Sequence, residues 1–407
     1  MFVIPKTMRA VVYRGVNDLR LETVPVPRLA AGELLVKVAV CGVCPTDIKK
    51  IRHGTVPPPR IFGHETAGTI VKIGAGNSSL VTRHSSLKIG DRVALHHHVP
   101  CLDCHYCRHG AFAQCATYKR TGITAGFEPA GGGYAEYVRV LPFVLPGVVK
   151  IPAKNSFAEG AMLEPVNTVL KAVRRLNLLR GDVVLVAGQG PIGLMFTRLL
   201  QLAGARVLAT DLLETRLQLA KKFGAKWTQL VGSARCADRT PQRGVPTSLD
   251  AAVIAVPSDA AVHQALQLIR GGGQVLLFAH TKRTEDGRRK TEVGKRKRED
   301  GSPKSEVRSP SSVLRPPTSD LRPPASVLCP LDFSSICLDE KDLIGSYSSD
   351  FTLQAEVARL VFSRRLDVRP LISHRFPLEQ TAEAVALAAK PTSDSLKILV
   401  VADMSRL

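Results

Sequence analysis

The stretch "CLDCHYCRHGAFAQC" places Cys101, Cys104, Cys107 and Cys115 within fifteen residues. Thiols this close together either pair as disulfides or hold an ion. Tetrahedral zinc accepts four thiolates, with neighbouring ligands separated by two to four residues so that the backbone can wrap the metal. Cysteines three apart in one tight loop close poorly into disulfides. Four protein ligands also leave no open position for a substrate. The spacing therefore predicts a structural zinc and by itself says nothing about activity.

A second, sparser set is spread over three segments. "CGVCPTD" puts Cys44 just after a strand, "FGHE" puts His64 and Glu65 at the start of another, and "MLEPVNT" puts Glu164 at the head of a helix. Cys, His and Glu side chains drawn from separate elements suit a zinc that keeps one position for water or substrate. Singly each has a plainer reading. Cys41 and Cys44 fit as small buried residues, and His64 and Glu65 fit as a turn pair.

The third motif is "VLVAGQGPIG", in which Gly188, Gly190 and Gly193 follow an apolar strand and open a helix. In that context the first glycine permits a tight turn, the second lets the backbone approach a pyrophosphate, and the third lets helix and strand meet closely. The phosphates would sit at the helix N-terminus, where unpaired N–H groups point outward. Eighteen residues beyond Gly193 the next strand ends at Asp211. A carboxylate there accepts from the ribose hydroxyls and repels a 2′-phosphate, which favours NAD over NADP. Arg216, in the following turn, is placed to flank the adenine ribose.

These residues need a scaffold, and the chain supplies two kinds. "MRAVVY", "GELLVKVAV", "HETAGTIVKIG" and "IGDRVAL" read as strands broken by Pro and Gly, so the first 150 or so residues form an irregular β-rich unit. From about residue 155 helical spacing appears in "EGAMLEPVNTVLKAVRRLNL". Unbroken apolar strands then alternate with helices: "GDVVLVAG", "ARVLATD", "WTQLV", "LDAAVIAV", "GGQVLLFA" and "DLIGSY". Six such strands are the count of a doubly wound parallel sheet covered on both faces. The helix "SDAAVHQALQLIR" lies between the fourth and fifth. After residue 350 come a helix, the strand "VRPLISHRFP", the helix "LEQTAEAVALAAK" and the strand "SLKILVVA".

The formal charge of the 407-residue chain is +21. Residues 281–330 carry 13 Lys/Arg and 7 Asp/Glu, a net of +6, and the remaining +15 is scattered. Scattered surface charge is expected to help draw in an anionic cofactor rather than to mark a nucleic-acid protein. The 281–330 segment itself pairs the charged run "GKRKRED" with a rough Pro-rich repeat, a composition expected to stay disordered. It reads as an insertion between the fifth and sixth sheet strands, a charged tether in preference to an import or anion-binding patch. No run of 18 apolar residues occurs, and the N-terminus lacks the pattern of a signal peptide. A cytoplasmic protein is expected, where thiols stay reduced and clustered cysteines bind metal.

Taken in order, "CGVCPTD", "GHETAGTIVKIG", the four-cysteine lobe, "GGGYAEYV", "EPVNTVLKAV" and "VRPLISHRFPLE" resemble the zinc-containing medium-chain dehydrogenase/reductase superfamily, nearest its sorbitol and threonine dehydrogenase branch. The resemblance covers nearly the whole chain except residues 281–330. It implies a GroES-like catalytic domain, residues 1–154 and 348–407 with a zinc lobe at 98–116. It also implies a Rossmann domain at 155–347 that carries the insertion. It implies that Cys44, His64 and Glu65 bind a catalytic zinc while Glu164 takes the remaining place or holds the zinc-bound water, and that Cys41 is not a ligand. Thr46 matches the hydroxyl that passes the alcohol proton outward. The family's usual relay histidine is replaced by Lys49, followed by Lys50, which leaves the cofactor ribose, water or His53 as exits. Phe278 and His280, with the segment around Tyr347, match stretches lining the nicotinamide end, and Thr168 and Ile192 match further cofactor contacts. The implied activity is oxidation of a secondary alcohol, polyol or hydroxy-amino acid by NAD, in a homodimer or homotetramer with two zinc ions per chain. Two other readings stand beside it. One is a zinc-free quinone-reductase-like enzyme, and the other is an inactive NAD-binding scaffold acting through its basic insertion.

Overall fold

A computed structural model describes residues 2–75, 87–96, 99–120, 131–231, 248–279 and 331–402. The insertion and His280 lie outside the described residues.

The N-terminal part is built of β1 (Thr7–Gly15), β2 (Asp18–Pro25), β3 (Leu34–Gly42), β4 (Arg60–Ile61), β5 (Glu65–Ile73), β6 (Arg92–His96), β7 (Tyr137–Val140) and β8 (Val149–Lys150). Next come β9 (Val183–Ala187), β10 (Arg206–Asp211), β11 (Trp227–Leu230), β12 (Leu249–Ile254), β13 (Ile269–Leu277) and β14 (Asp342–Gly345). β15 (Ile372–Pro377) and β16 (Lys397–Val401) follow.

β9 to β14 form one all-parallel sheet in the order β11-β10-β9-β12-β13-β14. The order reverses beside β9, where ligands bind in open α/β sheets. β9 is "VVLVA" with all five residues buried, as a strand covered on both faces requires. The second large sheet runs β15-β16-β3-β5-β6-β8, with β7 also paired to β3. β1, β2 and β4 make a small separate sheet. The last strand is therefore not peripheral. β16 lies between β15 and β3, antiparallel to β3 with Leu399 opposite Gly42.

The segment read as one helix from "EGAMLEP" onward is two. A short helix, Phe157–Ala161, is closed by a capping box between Ser156 and Glu159. Leu163–Val173 follows and buries nine of its eleven residues. The helix expected to run through Arg270 stops at Leu268. Ile269 pairs with Leu249 instead, and its branched side chain is buried in the sheet core. A helix not anticipated from the sequence, Phe333–Leu338, precedes β14 and is capped by Asp332, which accepts from the Ser335 N–H at 3.1 Å.

Candidate metal centre and nucleotide site

The strand registers bring the first set of residues together. Cys44 follows β3 and is the N-cap of the helix Pro45–His53, with Pro45 at the first helical position. Glu65 opens β5 directly opposite Gly42 at the end of β3. A Cβ at Gly42 would stand 1.8 Å from the Glu65 carboxylate, so only glycine leaves that side chain its place. Ligand atoms of Cys44, His64 and Glu65 all lie within 4.8 Å of one another.

His64 is 5% exposed, and its Nδ1 donates to Asp47 at 3.1 Å. Asp47 lies in the first turn of the same helix that Cys44 caps and is fully buried. The bond fixes the imidazole and leaves Nε2 for a ligand, the usual device behind a metal-binding histidine. Burial opposes charge on His64, but Asp47 and Cys44 outweigh it and hold the ring well above the usual histidine range. Cys41 differs sharply from Cys44. Its thiol is wholly buried, accepts from the Thr66 hydroxyl at 3.4 Å, and is pushed by burial up to about 12. It is no thiolate at neutral pH, in keeping with its exclusion from the ligand set.

Glu164 sits in the first turn of Leu163–Val173 and is 7% exposed. Burial pushes its carboxyl up to about 7, with His64 and Lys397 pulling down and Glu65 adding to the rise. Near neutrality this group can take up or release a proton. Thr168 donates to the Glu164 carbonyl at 3.1 Å and to its carboxylate at 3.4 Å, so it holds Glu164. Thr46 is half-buried on the Pro45–His53 helix, while Lys49 and His53 face solvent.

Sequence reasoning missed three groups. Asp47 was in view as the last letter of "CGVCPTD", three residues past Cys44. Lys397 is the single charge in the apolar run "KILVV". Its ammonium is buried and donates to Glu65 Oε1 at 2.5 Å and to the Val43 carbonyl at 3.0 Å. A lone lysine in a buried strand is itself a signal, because such a charge must be paired. Tyr118, three residues past Cys115, carries no motif at all.

In the lobe the Sγ–Sγ separations are 3.5 Å for Cys104–Cys107, 3.6 Å for Cys115–Cys101 and 3.9 Å for Cys101–Cys107. A zinc–sulfur bond of about 2.3 Å gives a tetrahedral edge of about 3.8 Å, whereas a disulfide is about 2.05 Å. The four thiols therefore fit a zinc tetrahedron. Burial pushes the Cys107 thiol up to about 12. Burial also acts to raise Cys115, but the N–H groups of Cys101 and Tyr118 pull it down to about 6.

At the nucleotide site Gly188 has φ +92 and its N–H donates to the Thr210 carbonyl at 2.8 Å. A Cβ at Gly193 would meet the Gly188 carbonyl oxygen at 1.7 Å, the close approach that the third glycine serves. Gly190 caps the helix Pro191–Leu202, with open space where a Cβ would lie. Ile192 is half-buried in its first turn. Asp211 ends β10, its carboxylate accepting from the N–H groups of Gln189 at 2.6 Å and Leu213 at 3.0 Å. Phe278 stacks edge-on to Phe196 at 5.0 Å. Arg216 reaches the Ser395 carbonyl at 3.5 Å.

Residues 30–153 match the family model of the alcohol dehydrogenase GroES-like domain, and 191–298 match the zinc-binding dehydrogenase model. A Bombyx mori sorbitol dehydrogenase is 27% identical over 400 residues, covering 96% of this chain and 97% of that one. An Emericella nidulans protein named for D-xylulose reductase A is 31% identical over 279 residues, 64% of this chain and 72% of that one. The chain belongs to the zinc-containing medium-chain dehydrogenase/reductase superfamily. The fold of this dehydrogenase is also that of a Sinorhizobium meliloti 1021 protein described as a zinc-binding dehydrogenase and bound to NADP. The TM-score is 0.74 at 25% identity, covering 98% of this chain and 100% of that one. Its sorbitol- and xylulose-named relatives place the dehydrogenase in the polyol branch. It is a zinc-dependent, nicotinamide-linked oxidoreductase acting on a small alcohol. Among the described residues, no helix is long and apolar enough to cross a membrane.

Proposed function

We propose that this dehydrogenase oxidises a secondary alcohol, polyol or hydroxy-amino acid to the ketone, passing hydride to NAD. The observation that carries the reading is the convergence of Cys44, His64 and Glu65 within 4.8 Å, with the buried Glu164 carboxyl in the field of His64 and Glu65. Bound zinc supplies Lewis acidity that lowers the pKa of an alcohol, and bound NAD accepts the hydride. Cys44 and His64 hold the metal, Asp47 fixing the histidine. Glu65 has two oxygens and about four acceptor sites, enough to keep Lys397 while offering one to the ion. Glu164 completes the set or holds a water. The Thr46 hydroxyl takes the alcohol proton outward, and Lys49, facing solvent, ends no relay. The lobe cysteines Cys101, Cys104, Cys107 and Cys115 hold a second, structural zinc. Residues 1–154 and 348–407 act as the catalytic domain and 155–347 as the nucleotide domain, in a cytoplasmic enzyme.

Gly188, Gly190 and Gly193 cradle the pyrophosphate and Asp211 selects NAD over NADP. The test is a panel of secondary alcohols, polyols and hydroxy-amino acids with both cofactors, read as absorbance of reduced cofactor, alongside metal analysis. Turnover with at least one class and two zinc equivalents per chain are expected. No turnover across the panel would defeat the reading. In Asp211→Ser the serine still accepts one of the two N–H bonds, but the carboxylate charge is gone. Its NAD-over-NADP ratio in kcat/KM should narrow roughly tenfold, the equivalent of ~1.4 kcal/mol. A higher kcat/KM with NADP in the unaltered enzyme would reverse the ribose assignment.

The enzyme self-associates through β14. Among the described residues this is the edge strand of the parallel sheet, and three of its four residues are exposed. Phe333 and Leu338, on the helix before it, are 72% and 82% exposed. An unpaired edge beside apolar side chains invites a second copy. Light scattering should give a dimer or tetramer, and a monomer at working concentration would refute it.

A further inference from the structure

The loop Ser346–Asp350 follows β14 and lies within reach of the charges of the metal centre. Tyr347 is 46% exposed, and the charges of Cys44, His64 and Glu164 act on its hydroxyl. Four backbone groups along this stretch are held by side chains of the helix that carries Glu164, or by Arg175 two residues past its end. Asn167 donates to the Asp350 carbonyl at 2.9 Å and accepts from the Asp350 N–H at 2.8 Å. Lys171 donates to the Tyr347 carbonyl at 2.9 Å, and Arg175 donates to the Gly345 carbonyl.

Ser348 is tied differently. It has φ +62, a left-handed conformation that a serine adopts only at a cost. Its hydroxyl bonds the hydroxyl of Tyr118, 230 residues away in the chain. Tyr118 is 4% exposed, and it leaves the four-cysteine lobe three residues after Cys115. The Tyr118 N–H donates to the Cys115 sulfur. One residue thus touches a lobe thiol with its backbone and the loop with its side chain. Beside it, Phe112 of the lobe meets Phe351 at 5.6 Å.

We propose that Tyr118 is a positioning residue that fixes the loop Ser346–Asp350 from the four-cysteine lobe, so that the lobe sets alcohol binding as well as stability. On this proposal the loop's left-handed turn sets the place of Tyr347, which feels the charges of Cys44, His64 and Glu164, against the substrate's carbon chain. The proposal rests on the alcohol-dehydrogenase reading for its kinetic arm only.

The test is a double-mutant cycle of Tyr118→Phe, Ser348→Ala and both together, in the full zinc-loaded chain. Each single variant should raise KM for the alcohol about fivefold, the scale of one hydrogen bond, with kcat and the KM for NAD within about twofold. The double variant should be no worse than Tyr118→Phe alone, because that change already removes the bond to Ser348. Amide hydrogen exchange supplies a readout independent of any substrate. Exchange over 343–351 should quicken by about tenfold in Tyr118→Phe while the lobe peptide 101–115 keeps its protection and both zinc equivalents remain. Unchanged exchange in 343–351 would overturn the proposal whatever the substrate. So would a lowered melting temperature with KM unmoved, or multiplicative effects in the double variant. Faster exchange in an enzyme that oxidises none of the alcohols would uphold the strut and defeat the reaction assigned above.

Discussion

Cys44→Ser should lose at least about 10³ in kcat/KM while the melting temperature moves by no more than a few degrees. Metal Lewis acidity is worth several kcal/mol at a reacting oxygen, and each ~1.36 kcal/mol is tenfold in rate. A serine hydroxyl is not ionised near neutrality and is a far poorer zinc ligand than a thiolate. The fold should tolerate the change. Cys44 is only half-buried, and its structural contribution is a carbonyl that accepts from the Asp47 and Ile48 N–H groups at 3.0 and 3.2 Å. Serine retains that carbonyl. Metal analysis should show one equivalent of zinc lost. A Cys44→Ser enzyme retaining a tenth of its turnover would remove Cys44 from the centre.

Cys104→Ser should act the opposite way, on stability first. The lobe has little to hold it closed. Its buried cluster consists of Cys107, Ala113, Cys115 and Tyr118, while Leu102 and Tyr106 are 56% and 50% exposed. A segment that buries so little apolar surface depends on its metal, and ligand loss removes that binding energy from folding. The melting temperature should fall by at least about 5 °C, on the order of 4 kcal/mol in a chain of this size. Zinc content should drop by the lobe's equivalent and leave the other. An unchanged melting temperature together with two retained zinc equivalents would refute the assignment.

How much of this could be read from the sequence differs by element. The nucleotide strand and turn were legible because each glycine answers a local demand, a positive φ at Gly188 and a sub-contact approach at Gly193. The clustering of the lobe cysteines was legible because all four fall in one short stretch. Asp47 was half legible, lying in the first turn of the helix that Cys44 begins. Lys397 and Tyr118 were not assigned, because their partners are 332 and 230 residues away and no local pattern links them. The helix that ended early at Leu268 shows the same limit. Local periodicity favoured its continuation, but a pairing with Leu249 across the sheet prevailed. Residues whose geometry is set by neighbours in the chain can be read, and those set by the closing of a sheet cannot.

The place of Lys397 has a consequence for how the enzyme is made. Glu65 is synthesised 332 residues before the ammonium that neutralises it. Without β16 the sheet would lack the strand between β15 and β3, and Glu65 would lack the ammonium that pairs with it. A chain stalled short of residue 397 already contains every proposed metal ligand and every glycine of the nucleotide turn, yet its centre is unfinished. Completion of the sheet and completion of the centre are therefore one event, since the strand that fills the gap between β15 and β3 also carries Lys397 to Glu65. A chain that lacks β16 leaves the facing edges of β15 and β3 open, the kind of surface that invites non-native pairing.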